Sequence, residues 1–291
     1  MRTEQEMMDL IIGIAENDER IRAVYMNGSR TNPNIPKDIF QDYDVVYVVK
    51  ETRPFIADKN WVKVFGDIAV MQLPDDNDNA WGANHDSSRS YAWLMLFKDG
   101  NRIDLGIEIA EMAIENFAKN YDKLTIVLLD KDNILPKCPP PTDEDYWVKK
   151  PTKEQYHAHC NNFWWCLQNA AKGIARDELP YAMRMYNDAV REALEKMIEW
   201  YIGTKTSFSL SVGKQGKYFR KYLPVELYNL YKGTFSNGEY NNFWIALFTA
   251  CELFRIIATQ VGEYFGCIYN EDEEMGMIEY LNWVQKRQTC T

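Results

Sequence analysis

The stretch MNGSRTNPNIPKDIFQDYDVVYVV, residues 26–49, carries a Gly-Ser pair and, beyond a proline-punctuated loop, two aspartates one residue apart at the head of a β-branched run. Val45, Val46, Val48 and Val49 favour a pleated, half-buried strand, so Asp42–Val49 reads as one. RAVYMN, 22–27, reads as a strand before it, and Gly28 breaks that strand because glycine tolerates the backbone a sharp exit needs. Alternate residues of a strand share a face, so Asp42 and Asp44 project together while Tyr43 turns the other way. Two adjacent carboxylates either raise one pKa or share a cation. An oxygen-rich site suits Mg2+, which takes one or two carboxylates plus phosphate oxygens and keeps some waters.

Outward from this stretch, Met7, Leu10, Ile11 and Ile14 lie at helical spacing and predict an amphipathic helix over 3–16. WVKVFGDIAVMQL, 61–73, reads as two strands hinged near Gly66 and Asp67. SYAWLMLF and NRIDLGI flank a Lys-Asp-Gly turn, a hairpin signal that makes the sheet antiparallel or mixed. EIAEMAIENFAKN then reads as a helix and KLTIVLLD as a last strand. PKCPPPTDEDYWVKKP, 136–151, concentrates prolines and charges that interrupt regular structure. Beyond it the period becomes helical: Met183, Tyr186, Val190, Leu194, Met197 and Tyr201 form one stripe, and Phe243, Leu247, Cys251, Phe254, Ala258, Val261 and Phe265 another. The chain reads as α+β, with a domain over 1–136 built on a mixed β-sheet flanked by helices, a linker over 137–151, and an α-helical bundle domain over 152–291.

At 291 residues and 46% apolar, the chain is long enough to bury two cores. Its formal charge of -10 argues against a nucleic-acid partner, which needs a dense basic footprint, and favours a cationic one. No apolar run approaches the roughly 20 residues that cross a bilayer, and the N-terminus is acidic where a signal peptide is basic, so a cytoplasmic protein is expected. Cys138, Cys160, Cys166, Cys251, Cys267 and Cys290 are scattered without a CxxC pair and read as reduced thiols. The acidic patches DDNDN, 75–79, and NEDEE, 270–274, read as solvated.

Asp104 lies inside NRIDLGI, an apolar strand in which a carboxylate has no packing role. If that strand neighbours the one bearing Asp42 and Asp44, three acids converge, and three such groups suit two metal ions roughly 3.5–4 Å apart. Gly28 and Ser29 offer backbone N–H groups and a hydroxyl to phosphate oxygens, and Arg30 a guanidinium fork.

The ordered set of strand, Gly-Ser, Asp-x-Asp and a later strand Asp resembles the nucleotidyltransferase superfamily. Within it the whole chain resembles the aminoglycoside 6-adenylyltransferases that inactivate streptomycin, through MRTEQEMMDLI, NDERIRAV, NGSRTNPNIPKD, FQDYD, DGNRIDL, LLDKD, NNFWWC, IEWYIGTKT and GKQGKYFRKY. The resemblance implies a nucleotidyltransferase domain over 1–136 and transfer of AMP from ATP to a hydroxyl of the drug, with Mg2+ and release of pyrophosphate. It implies that Gly28 and Ser29 bind phosphates, that Asp42 and Asp44 hold metal, and that Asp104 is a general base that also touches metal. The sequence after Asp104 departs from that pattern at Glu108, which reads either as a structural substitution or as part of an altered acceptor pocket.

In the helical half, GKQGKYFRKY is a basic cluster in an acidic chain, read either as a solvated helix start or as Lys214 and Lys217 reaching the β- and γ-phosphates of ATP. A drug bearing guanidinium groups calls for carboxylates and aromatic faces, and Trp164, Trp165 and Glu178 are the candidates, although such a tryptophan pair is more often core and only one of two adjacent helical residues can face a given ligand. On a helix His157 and His159 diverge, which argues against zinc. Two other readings stand beside the drug-modifying enzyme: a nucleotidyltransferase with another acceptor (another aminocyclitol, a nucleotide or a protein hydroxyl), and a nucleotide-binding module without turnover.

Overall fold

Thr3 and Glu6 open the first helix by reciprocal capping, the Thr3 hydroxyl accepting from the Glu6 N–H and the Glu6 carboxylate accepting from the Thr3 N–H. In this computed structural model, which describes residues 1–288, helix α1 (Glu4–Asn17) is followed by β1 (Ile21–Asn27), β2 (Tyr43–Val49), α2 (Arg53–Ala57), β3 (Ile68–Gln72), α3 (Pro74–Ala80), β4 (Ser90–Phe97), β5 (Arg102–Ile109), α4 (Ala110–Lys119) and β6 (Ile126–Asp130). These belong to a unit spanning Met1–Asp145, and a second unit spans Tyr146–Thr291. The division falls within the proline- and charge-rich segment. Cys290 lies outside the described residues, and Cys138, Cys160, Cys166, Cys251 and Cys267 are free thiols.

The first unit is a mixed six-stranded sheet in the order β3-β4-β5-β2-β1-β6. Only β2 and β5 run parallel, in a register that pairs Asp44 with Asp104 and Val48 with Glu108. β4 and β5 form the antiparallel hairpin expected from their Lys-Asp-Gly turn, in which Gly100 takes φ 88°. One sheet face, with Tyr43, Val45, Tyr47, Ile103, Leu105 and Ile107, packs against Met7, Ile11 and Ala15 of α1. The opposite face carries a smaller core of Ala23, Tyr25, Val48 and Ala113, where α4 lies across β5 and β2. α4 covers the end bearing Val48 and Glu108, and Asp44 and Asp104 lie toward the other end of the same two strands.

The expected strand at 61–65 is instead a 3-10 turn, Trp61–Phe65. Trp61, Val62 and Phe65 are buried together, a helical spacing that the apolar run concealed, and Gly66 at φ 130° ends the turn before β3. DDNDN is not simply solvated either: it lies in α3, where the Asp75 carboxylate accepts from the Ala92 N–H and Asp76 from the Tyr91 hydroxyl.

The second unit is helical: α5 (Lys153–Ala175), α6 (Leu179–Met185), a π-turn (Tyr186–Arg191), α7 (Glu192–Lys205), α8 (Phe219–Tyr222), α9 (Val225–Gly233), α10 (Tyr240–Phe265) and α11 (Glu271–Gln288). Both expected stripes are core, and Phe163 and Phe254 stack face to face with ring centroids 3.7 Å apart. The π-turn holds the buried Arg191, whose guanidinium donates to Thr234 Oγ1 and Glu195 Oε1 and lies over the Phe235 ring. Contrary to the expectation from apolar runs, α10 is long and apolar enough to cross a bilayer, with mean hydropathy 1.4 over 18 residues. Its apolar stripe, Phe243 to Val261, is buried within the second unit, which accounts for that composition.

Candidate active site

Three carboxylates meet toward the end of β2 and β5 opposite the one that α4 covers. Asp44 sits in β2 with Asp104 as its in-register neighbour on β5, and Asp42 stands two residues ahead of Asp44 on the same face. Tyr43, between them, is buried in the opposite core. On the other side of β2, Asn27 pairs with Asp44 and ends β1, so a polar row crosses three strands.

Burial pushes the Asp44 carboxyl up to about 6, and the negative charges of Asp104 and Asp42 add to the shift. Asp42 is raised as well, because burial outweighs the guanidinium of Arg102. Arg102 answers part of this charge. Its Nε and Nη2 donate to the two Asp104 carboxylate oxygens at 2.8 and 2.7 Å, and its Nη1 lies 3.3 Å from Asp42 Oδ2. Among the described residues no group of three His, Cys, Asp or Glu side chains is arranged as a formed metal site, and here Arg102 stands between Asp42 and Asp104. The donor set nevertheless fits a hard divalent cation: every candidate ligand is a carboxylate oxygen, and a guanidinium already occupies the cationic position between Asp42 and Asp104. Arg102 is absent from the sequence expectations, although the signal was there: it stands two positions before Asp104 on one strand, the same spacing that pairs Asp42 with Asp44.

Gly28 meets this cluster from β1. It adopts φ 79° and ψ -158°, and a Cβ there would stand 2.1 Å from Asp44 Oδ2. The chain then enters a 3-10 turn, Ser29–Thr31, whose first backbone bond runs from the Thr31 N–H to the Gly28 carbonyl, so the Ser29 and Arg30 amides lie at its open end. Arg30 is not the phosphate fork that the sequence suggested. It is 5% exposed, donates to the Gln41 and Asp42 carbonyls, and lies 3.8 Å over the Tyr43 ring, so its guanidinium ties the Gly-Ser turn to β2.

Glu108 belongs to the covered end of the same strand face. It is 4% exposed and accepts from the Tyr25 hydroxyl at 2.7 Å and the Asn116 amide at 2.8 Å, which makes it a structural carboxylate under α4 rather than an acceptor pocket. Burial raises its pKa against those two hydrogen bonds. A folded-state pKa above the unfolded value means that the proton's stabilisation is present below the ordinary carboxylate range and lost as pH rises through the folded pKa. Glu108→Gln should therefore melt higher than the parent at pH 8, by a few degrees, with the difference closing by pH 4. Melts that differ equally at both pH values would refute the assignment.

The second-unit candidates separate. Trp164 is buried against Phe163 and Phe254, so it is core and presents no face to a ligand. Trp165, one residue on, is exposed, as is Glu178 at the start of α6. Lys214 and Lys217 are exposed on and just after the 3-10 turn Lys214–Gly216, where Gly213 (φ 75°), Gln215 (φ 55°) and Gly216 (φ 69°) all take left-handed backbone. His159 does not await a metal: its Nε2 lies 2.7 Å from the Ala193 carbonyl and burial lowers its pKa.

Comparison with known proteins bears on this arrangement. The chain is 38% identical over 284 residues to an aminoglycoside 6-adenylyltransferase of Bacillus subtilis (strain 168), with 98% of each chain covered. It is 37% identical to one of Campylobacter jejuni, with 93% of each covered, and 34% identical to one of Staphylococcus aureus, with 90% of this chain and 91% of that one covered. A sheet that carries such a row of acids in a chain related along its length to adenylyltransferases is that of a nucleotidyltransferase. The chain belongs to the streptomycin adenylyltransferase family, whose model matches residues 1–284.

Proposed function

We propose that this enzyme is an aminoglycoside 6-adenylyltransferase that moves AMP from ATP to a hydroxyl of streptomycin, and thereby inactivates the drug in the cytoplasm. The likeness to three enzymes of that name over at least nine-tenths of the chain carries the reading. The formal charge of -10 supports a cationic acceptor over a nucleotide or nucleic acid.

In this reading the acceptor oxygen attacks the α-phosphorus, the bond from that phosphorus to the bridging β-oxygen breaks, and pyrophosphate carries away the electron pair. Asp104 takes the hydroxyl proton. A carboxylate is a weak base for a sugar alcohol, so position must compensate for the gap in pKa. Gly28 and Ser29 turn backbone amides and a hydroxyl toward the phosphates. Asp42, Asp44 and Asp104 would hold two Mg2+ ions, which when bound supply neutralisation of the triphosphate and acidity at the attacking hydroxyl. Everything else at the site is orientation: Arg30 fixes the Gly-Ser turn, and the β2–β5 pairing fixes the spacing of Asp44 and Asp104.

Incubation with ATP, Mg2+ and streptomycin should release pyrophosphate and add one AMP to the drug by mass. The Asp42→Asn protein should release on the order of 100-fold less or below. Streptomycin that gains no mass while another aminocyclitol or a protein does would move the acceptor; ATP binding with no product on any acceptor would overturn the enzyme.

A further inference from the structure

Arg102 holds its two carboxylates as a cation would. Its guanidinium engages both Asp104 oxygens in a bidentate fork and reaches Asp42 with its third nitrogen, so one side chain neutralises two of the three acids. It opens β5, and its side chain is 43% exposed, against 35% for Asp42 and 21% for Asp104. Asp44 forms no ion pair among the described residues and feels Arg102 only through space. Such a fork cannot coexist with a working Asp104, because the oxygens that would meet a metal ion or an acceptor proton are already hydrogen-bonded.

We propose that Arg102 is a displaceable counter-ion, filling the cation position between Asp42 and Asp104 until a divalent ion evicts it. The inference rests on the nucleotidyltransferase reading and deepens its metal site. The guanidinium carries one charge on an exposed, flexible stem, so a divalent ion that bonds several oxygens outcompetes it, whereas a monovalent ion does not. The device keeps Asp42 and Asp104 together before any metal arrives, and it sets the metal affinity of the free enzyme below what the carboxylates alone would give.

The test is Mn2+ binding to the nucleotide-free protein, read by the electron paramagnetic resonance of free Mn2+. Arg102→Gln should bind about five- to tenfold more tightly than the parent. Arg102→Lys, which keeps the charge and loses the fork, should fall between them. Without metal, Arg102→Gln should melt below the parent at pH 8 and recover most of the difference at saturating Mn2+. A readout that needs no stable variant is the arginine Nε–H spectrum of the parent: one resonance, absent from Arg102→Lys, should shift as Mg2+ is added. Equal or weaker Mn2+ binding by Arg102→Gln, or a spectrum unmoved by saturating Mg2+, overturns the counter-ion role and leaves the metal site standing. Mn2+ that binds no better to the parent than to Asp42→Asn, with or without a nonhydrolysable ATP analogue, overturns the metal site itself and this proposal with it.

Discussion

Asp44→Asn should cut adenylyl transfer to a small remainder and, in the same protein, raise the melting temperature of the metal-free enzyme at pH 8. The two effects share one cause. Burial, then the charges of Asp104 and Asp42, hold the Asp44 carboxyl up at about 6. The folded protein therefore binds that proton more tightly than the unfolded chain does, so the proton's contribution is full in acid and is lost as pH climbs through 6. At pH 8 the ionised group opposes folding, by about 1–2 kcal/mol once its partial contact with solvent is allowed for. Asparagine keeps the shape without the charge, and a gain of about 2–4 °C is expected in EDTA at pH 8, with none at pH 4. Turnover should fall on the order of 10³-fold, because the lost charge is the one that would hold metal beneath the triphosphate. A protein that melts several degrees lower would make Asp44 a packing residue, and one that keeps its activity would remove it from the chemistry.

The acids were legible because a strand has a period of two and tolerates no ambiguity about which face a residue takes. Asp42, Asp44 and Asp104 follow from that rule plus the adjacency of β2 and β5, and the adjacency could only be expected, since the pairing of strands far apart in sequence is set by the packed sheet. Arg30 was misread because its neighbours in sequence are Gly28 and Ser29, while its neighbours in space are Tyr43 and the carbonyls of Gln41 and Asp42. Trp61–Phe65 was misread for a different reason: five residues hold only about one and a half helical turns, too short for a helical period to separate from a period of two. Trp164 and Trp165 show what helical spacing can decide by itself. Adjacent residues point about 100° apart, so one entering the core leaves the other outside it.

Gly28→Ala should be nearly as damaging to turnover as the loss of Asp44, through Asp44. At φ 79° and ψ -158° the backbone lies where side-chain-bearing residues are strained by about 1–3 kcal/mol, which would lower the melting temperature by several degrees. The new methyl would also stand 2.1 Å from Asp44 Oδ2 and 3.0 Å from Asp44 Cγ. The Asp44 carboxyl can relieve that overlap by rotating, and rotation carries it out of the row it shares with Asp104. Activity should fall by about 100-fold or more, since the geometry of charge at such a site counts for as much as its presence. A double-variant cycle separates the two costs. In the Asp44→Asn background, Gly28→Ala should still lower the melting temperature, yet remove little of the residual turnover and little of the residual Mn2+ affinity. If its effect on turnover instead multiplies in full with that of Asp44→Asn, the glycine serves the phosphates directly through the Ser29 turn, and its contact with Asp44 is incidental to the chemistry.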